Sequence, residues 1–283
     1  MGLDPDITQI KKSVFSCVVD PIFGIQTFLQ IVVSFTAPHA CAFKLNEAFY
    51  KRYDGLLKST IDYIKNEHPD MPVIVDCKIG DIDHTLKAHF DYYFDTLKAD
   101  AITLSPYMGA EIFSPFVLDE KKAGIMVVKS SNTGSAEFQD SVLETNLTPW
   151  AIMLREFAAM NDSIQLPVDE LSMMLWHKVL KTTKDYNVRK NLMVVIASSI
   201  NPSECAYIRR VIGDDMPILV PGIGAQGGDL ATVKNLLNSK GYGVLVNASR
   251  SILYPEAEAD LDWCNAIVCA AIQLKNEINT LRK

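Results

Sequence analysis

The sequence is poor in the features that usually declare a metal site or a hydrolase. Its 6 cysteines (Cys17, Cys41, Cys77, Cys205, Cys264, Cys269) form no CxxC pair and stand with no histidine at a metal-ligand spacing. They are expected to be reduced thiols of a cytosolic protein, mostly buried as small apolar side chains. The 5 histidines (His39, His68, His84, His89, His177) make no HExxH pattern, and no serine sits in a GxSxG turn, so no metal is expected and a hydrolase triad has no support. Positive charge is also short: 27 basic against 34 acidic residues give a net charge of -7. That balance argues against nucleic acid or an anionic membrane as partner, and any anionic ligand must be held by a local site. No long hydrophobic run is present either. The most apolar early stretch, Phe23 to Pro38, carries Gln26 and Gln30 and ends at proline, short of the roughly 20 residues that a bilayer requires. Asp4 and Asp6 stand where a secretory signal needs a basic start, so no signal is expected. Asn146-Leu147-Thr148 fits a glycosylation pattern only by chance. Repeats, low-complexity tracts and Gly/Ser-rich linkers are missing, which favours one domain.

What is present is an alternation. Short runs rich in Val, Ile and Leu recur between longer amphipathic segments, as in the βα units of a parallel sheet. The expected strands are Ala42 to Asn46, Val73 to Lys78, Ala101 to Ser105, Gly124 to Lys129, Leu192 to Ser198, Ile218 to Pro221 and Gly243 to Asn247. Most steps between strand ends fit one strand, one loop and one helix. The long step from Ser130 to Leu192 must hold an insertion, predicted to be helical around Trp150 to Met160 and Asp169 to Leu180. The segment from Glu256 to Leu281 repeats apolar residues at helical spacing (Ile267, Ala270, Ile272, Ile278) and suits a closing outer helix. The fold class is therefore α/β, a (β/α)8 TIM barrel over residues 1–283 with an insertion at about 133–190. Only seven strands are visible. The missing one should precede Leu3-Asp4-Pro5-Asp6, so the first strand is expected to be truncated, a stub or absent.

Polar residues gather where the strands end. In Asp76-Cys77-Lys78-Ile79-Gly80-Asp81-Ile82, residues 76 and 78 share a face by the two-residue period, so a carboxylate and an ammonium project from one strand end. Such charges are costly inside a sheet protein unless paired. A salt-bridge network would explain them, but at the C-terminal end of a barrel strand they point to catalysis. Lys44 and Asn46 repeat the pattern, and further exits read Ser105-Pro106-Tyr107, Lys129-Ser130-Ser131-Asn132, Pro221-Gly222-Ile223-Gly224 and Asn247-Ala248-Ser249-Arg250. His84 beside the acidic motif suits a helix surface better than chemistry. Trp150, Trp176 and Trp263 read as packing residues.

The run Gly222 to Gly227 matches GxGxxG, yet a dinucleotide fingerprint needs an acidic residue about 20 positions on, where this chain has Asn247 and Arg250. A glycine-rich turn after the penultimate strand with an arginine after the last fits instead the phosphate site of barrels.

Taken in order, Gly2 to Asp6, Phe43 to Asn46, Asp76 to Ile82, Ser131-Asn132, Pro221 to Gln226 and Ser249-Arg250 resemble the orotidine 5′-phosphate decarboxylase family in its stand-alone form. The resemblance implies a homodimeric barrel without metal or organic cofactor, converting orotidine 5′-monophosphate to uridine 5′-monophosphate and carbon dioxide. It implies that Asp76 and Lys78 act with Asp81 and Thr85 of the other subunit, and that Ile82 binds substrate. Asp4 and Lys44 would hold the ribose with Asn46 nearby, and Ser131 and Asn132 would meet the pyrimidine. Pro221, Gly222, Gln226, Ser249 and Arg250 would form the phosphate site, with Ser249 where many members have glycine. No phosphoribosyltransferase segment is expected. Two other readings stay open: a metal-dependent sugar-phosphate decarboxylase or aldolase of the same barrel superfamily, and a non-catalytic nucleotide-binding barrel.

Overall fold

Seven short apolar strands hydrogen-bond side by side, all parallel, in the computed structural model, which describes residues 1–10, 20–143, 173–223, 230–255 and 263–282. They are β1 (Phe43–Asn46), β2 (Val73–Ile79), β3 (Ala101–Leu104), β4 (Ala123–Lys129), β5 (Leu192–Ile196), β6 (Ile218–Pro221) and β7 (Val244–Asn247), and the sheet follows chain order. This is the expected barrel, with each strand within two residues of its predicted bounds. The missing strand proves to be a stub. Gly2 bridges to Lys44 in parallel; its amide donates to Ala248 O at 2.7 Å, Leu3 N to Lys44 O at 2.8 Å, and Lys44 N to Met1 O at 2.8 Å. Residues 1–3 thus span the gap between β1 and β7, and Tyr50 fastens them by donating its hydroxyl to Leu3 O at 2.7 Å.

Two cores result. A small one fills the lumen with Ala42, Ile74, Ala101, Ile125, Val195 and Leu219, and a larger one lies between the strands and the surrounding helices. The first helix among the described residues, α1 (Pro21–Thr36), starts at an Asp20 cap that accepts from Ile22 N. With the 3₁₀ turn Ala37–His39 it runs for 19 residues at a mean hydropathy of 1.3, long and apolar enough to cross a membrane by length and composition. The expectation that proline stops this segment early is therefore wrong, because the turn carries the chain on. Packing accounts for its apolar character instead: Ile25, Leu29, Val32 and Val33 are fully buried. The C-terminal helix, Trp263–Thr280, packs on α1, with Trp263 stacked on Phe28. Within the long step, the helix expected around Trp150 to Met160 lies outside the described residues, as do Asn146 to Thr148. The one expected at Asp169 to Leu180 is found at Leu175–Tyr186, where it packs on β4 and β5 with Trp176 buried.

The cysteine expectation needs correction. The five described cysteines are free thiols, but only Cys205 is buried, while Cys41 and Cys269 are exposed. Cys41 precedes its strand and Cys269 sits on the outer side of a helix, positions that patterning around a single residue does not reveal.

Candidate active site

The lumen layer determines the layer above it. Strand side chains alternate, so two residues on from Ala42, Ile74, Ala101, Ile125, Leu219 and Leu245 come Lys44, Asp76, Thr103, Val127, Pro221 and Asn247. All six line one cavity of about 810 Å³ at the C-terminal mouth of the barrel. Asn46 and Lys78 at the ends of β1 and β2, with Asp4, Ser131 and Asn132, complete it from one side, and Gly222, Ser249 and Arg250 from the other. Eleven of the fifteen expected site residues are thus brought together. Gln226 lies outside the described residues. Asp81, Ile82 and Thr85 do not reach this cavity; Ile82 is 65% exposed and Thr85 is also exposed.

At the cavity floor runs a chain of alternating charge. Lys44 Nζ lies 2.7 Å from Asp76 Oδ2, and Lys78 Nζ lies 2.6 Å from Asp76 Oδ1. Burial pushes the Asp76 carboxyl up, but the two ammonium groups outweigh it and hold the group at about 2. Asp76 is therefore an anion at neutral pH, and it keeps two cations side by side.

Lys78 does not arrive there by regular alternation. The pairing of β2 with β3 shifts between Val75 and Ile79, and Lys78 takes a left-handed backbone at φ +48°. This conformation is uncommon for a residue with a side chain. Its amide, diverted from the ladder, donates to Thr103 Oγ1 at 2.9 Å. The expected shared face of residues 76 and 78 is real, but a bulge produces it. Beyond the bulge, Asp81 turns away, accepting from Ile82 N at 2.8 Å and lying 3.8 Å from His89 Nε2.

Asp4 and Asn46 are held together beside the stub. Asp4 Oδ1 accepts from Asn46 N at 3.1 Å, while Asn46 Oδ1 accepts from Ala48 N at 3.2 Å and caps the turn Glu47–Phe49. Tyr254 anchors the same segment from the far end of the chain: its hydroxyl accepts from Asp6 N at 2.6 Å, its ring stacks on Phe28, and it lines the cavity. At the opposite wall Gly222 turns at φ +84°, which favours glycine, and Arg250 opens a short helix, Arg250–Leu253. Ser249 fits because its neighbour is glycine: a Cβ on Gly2 would lie 2.8 Å from Ser249 Cβ.

One expected exit residue points elsewhere. Lys129 leaves the cavity, bonding Glu204 Oε1 at 2.5 Å and Asp140 Oδ1 at 3.0 Å, with its ammonium 5.0 Å from the Trp176 ring centre. Burial would lower its pKa, but the two carboxylates raise it. The following Ser130 is held by Gln139, which accepts from its amide at 3.0 Å and donates to its hydroxyl at 2.9 Å. Residues that patterning missed are Thr103 and Tyr254. For the first, the available signal was a polar residue inside the apolar run Ala101–Leu104.

The family model described as "Orotidine 5′-phosphate decarboxylase / HUMPS family" matches residues 1–260. A protein of Cellvibrio japonicus named orotidine 5′-phosphate decarboxylase is 32% identical over 286 aligned positions, covering 100% of this chain and 93% of its own. Among solved structures, Leishmania donovani OMP decarboxylase superposes with a TM-score of 0.71 at 26% identity, covering 99% of this chain and 92% of that one. Leishmania donovani UMP synthase gives 0.73 at 27% identity, and this chain spans about half (53%) of its length.

Proposed function

The chain belongs to the orotidine 5′-phosphate decarboxylase family, and from that membership we infer how its own cavity performs the reaction. The activity is decarboxylation of orotidine 5′-monophosphate to uridine 5′-monophosphate in pyrimidine synthesis. The C6–carboxylate bond breaks, carbon dioxide departs, and the electron pair remains on C6. Lys78 stabilises that charge through its ammonium and then delivers the proton that replaces the carboxyl group. Asp76 aims the Lys78 ammonium through their ion pair, and its own negative charge faces the substrate carboxylate. Asp4 and Lys44 take the ribose hydroxyls beside Asn46, and Ser131 and Asn132 meet the pyrimidine edge. Pro221, Gly222, Ser249, Arg250 and Gln226 take the phosphate. Binding energy gathered at the phosphate end orders the reacting end. The single observation that carries this reading is the Lys44–Asp76–Lys78 chain at the floor of the cavity.

The site is completed by a second copy of the chain. Asp81, Ile82 and Thr85 lie beyond their own cavity, so they serve the neighbouring subunit's site in a homodimer. What supports this is exposed apolar surface beside them: Ile82 is 65% and Met108 52% exposed, and Met108 sits against Gly80. No metal enters the scheme. An ultraviolet assay of orotidine 5′-monophosphate loss tests it: turnover that persists in excess chelator is expected, and turnover that requires a divalent cation would favour the sugar-phosphate chemistry of related barrels.

A further inference from the structure

The bulge at Lys78 leaves two needs that one side chain meets. The shift in the β2–β3 register removes the strand partner of the Lys78 amide, and an amide left unpaired inside the protein is destabilising. The left-handed backbone of Lys78 must also be held against its tendency to relax. Thr103, only 1% exposed, stands opposite on β3. Its Oγ1 accepts from Lys78 N at 2.9 Å and lies 2.9 Å from Asp76 Oδ1. A hydroxyl has one proton. Since the amide can only donate and the anionic carboxylate can only accept, that proton points at Asp76. Asp76 Oδ1 thus receives Thr103 and Lys78 Nζ together, while Oδ2 receives Lys44.

We propose that Thr103 is a positioning residue for the decarboxylation: one hydroxyl ties the backbone of Lys78 to the carboxylate that aims the Lys78 ammonium. This deepens the reading of the site above and rests on it. The hydroxyl, not the methyl group, is the working part, and it acts on the reacting end rather than on ribose or phosphate. Losing it lets the bulge relax and the ammonium swing, so the proton donor spends less time at C6 while the nucleotide still binds.

The test compares Thr103→Val, Thr103→Ala and Thr103→Ser with the unaltered chain, measuring kcat and KM for orotidine 5′-monophosphate and Kd for uridine 5′-monophosphate. Thr103→Val and Thr103→Ala should each lose about 10- to 100-fold in kcat, as for a hydrogen bond to a charged group. Kd for the product should stay within about 3-fold, and Thr103→Ser should keep kcat within about 3-fold. Should Thr103→Val fail to fold, the Ser and Ala pair still separates hydroxyl from methyl. Unchanged kcat without the hydroxyl, a Ser variant as impaired as Ala, or a loss confined to KM and product affinity would overturn the proposal. Lys78→Ala, run alongside, separates the two levels: if it retains turnover, the reading of the site fails; if it is inactive while Thr103→Val is not, only the role of Thr103 fails.

Discussion

Replacing Asp76 by asparagine removes the anion that lets two lysines sit together. Asp76 is 11% and Lys44 6% exposed at the side chain, so neither charge is well screened by solvent. Burial alone would raise the Asp76 pKa, yet Lys44 and Lys78 bring it from 3.8 to about 2. At about 1.4 kcal/mol per unit this corresponds to about 2 kcal/mol of stability at neutral pH. Because the folded pKa is depressed, that contribution is full above about pH 4 and lost as pH falls through about 2. Asparagine keeps an acceptor for Thr103 but leaves the buried Lys44 ammonium without a counter-charge, so the variant should be less stable by about 2 to 5 kcal/mol near pH 7. Urea unfolding followed by circular dichroism measures the gap. Between about pH 7 and about pH 3 it should narrow by about 1 kcal/mol, because over this range the Asp76 carboxyl protonates in the unfolded chain, at its ordinary value of 3.8, while it stays ionised in the folded one. A gap that is constant over this range, or a variant as stable as its parent, would refute the assignment of Asp76 as a net stabilising anion.

Arg250→Ala should cost about 2 to 5 kcal/mol in kcat/KM for orotidine 5′-monophosphate but little for the nucleoside orotidine; equal losses for both would mean that Arg250 supports the fold or the base pocket. Mixing inactive Lys78→Ala with inactive Asp81→Ala subunits should restore up to about a quarter of the activity, because a mixed dimer has one site free of both lesions. Proven subunit exchange without recovered activity would remove the shared site. Gly2→Ala places a Cβ against Ser249 and should lower the thermal midpoint; adding Ser249→Gly should restore most of the loss, and strictly additive effects would deny the contact.

The barrel was legible because parallel strands buried on both faces appear as unbroken apolar runs, and those at Val73 and Ile218 begin where the patterning puts them. The stub could not be read this way: residues 1–3 close the barrel through backbone bonds, which have no side-chain pattern. Most of the cavity was legible too, since Lys44, Pro221 and Arg250 are polar or turn-forming exits from apolar runs. Asp76 and Lys78 were legible as a pair, but not the bulge that brings them together, because a register shift arises from pairing with β3 rather than from β2 itself. Thr103 escaped notice for the same reason: its importance lies in what stands opposite. Lys129 was the converse case, a charged exit residue engaged by Glu204 and Asp140 outside the cavity. Spacing along the chain does not distinguish an ion pair that holds a loop from one that meets a substrate.

The most direct measurement is the rate of orotidine 5′-monophosphate decarboxylation by Lys78→Ala, read by ultraviolet absorbance with chelator present, together with its affinity for uridine 5′-monophosphate. The account predicts no measurable turnover above the uncatalysed rate in a folded dimer that still binds the product. Turnover near that of the unaltered protein would contradict it, because Lys78 would then not be the proton donor at C6.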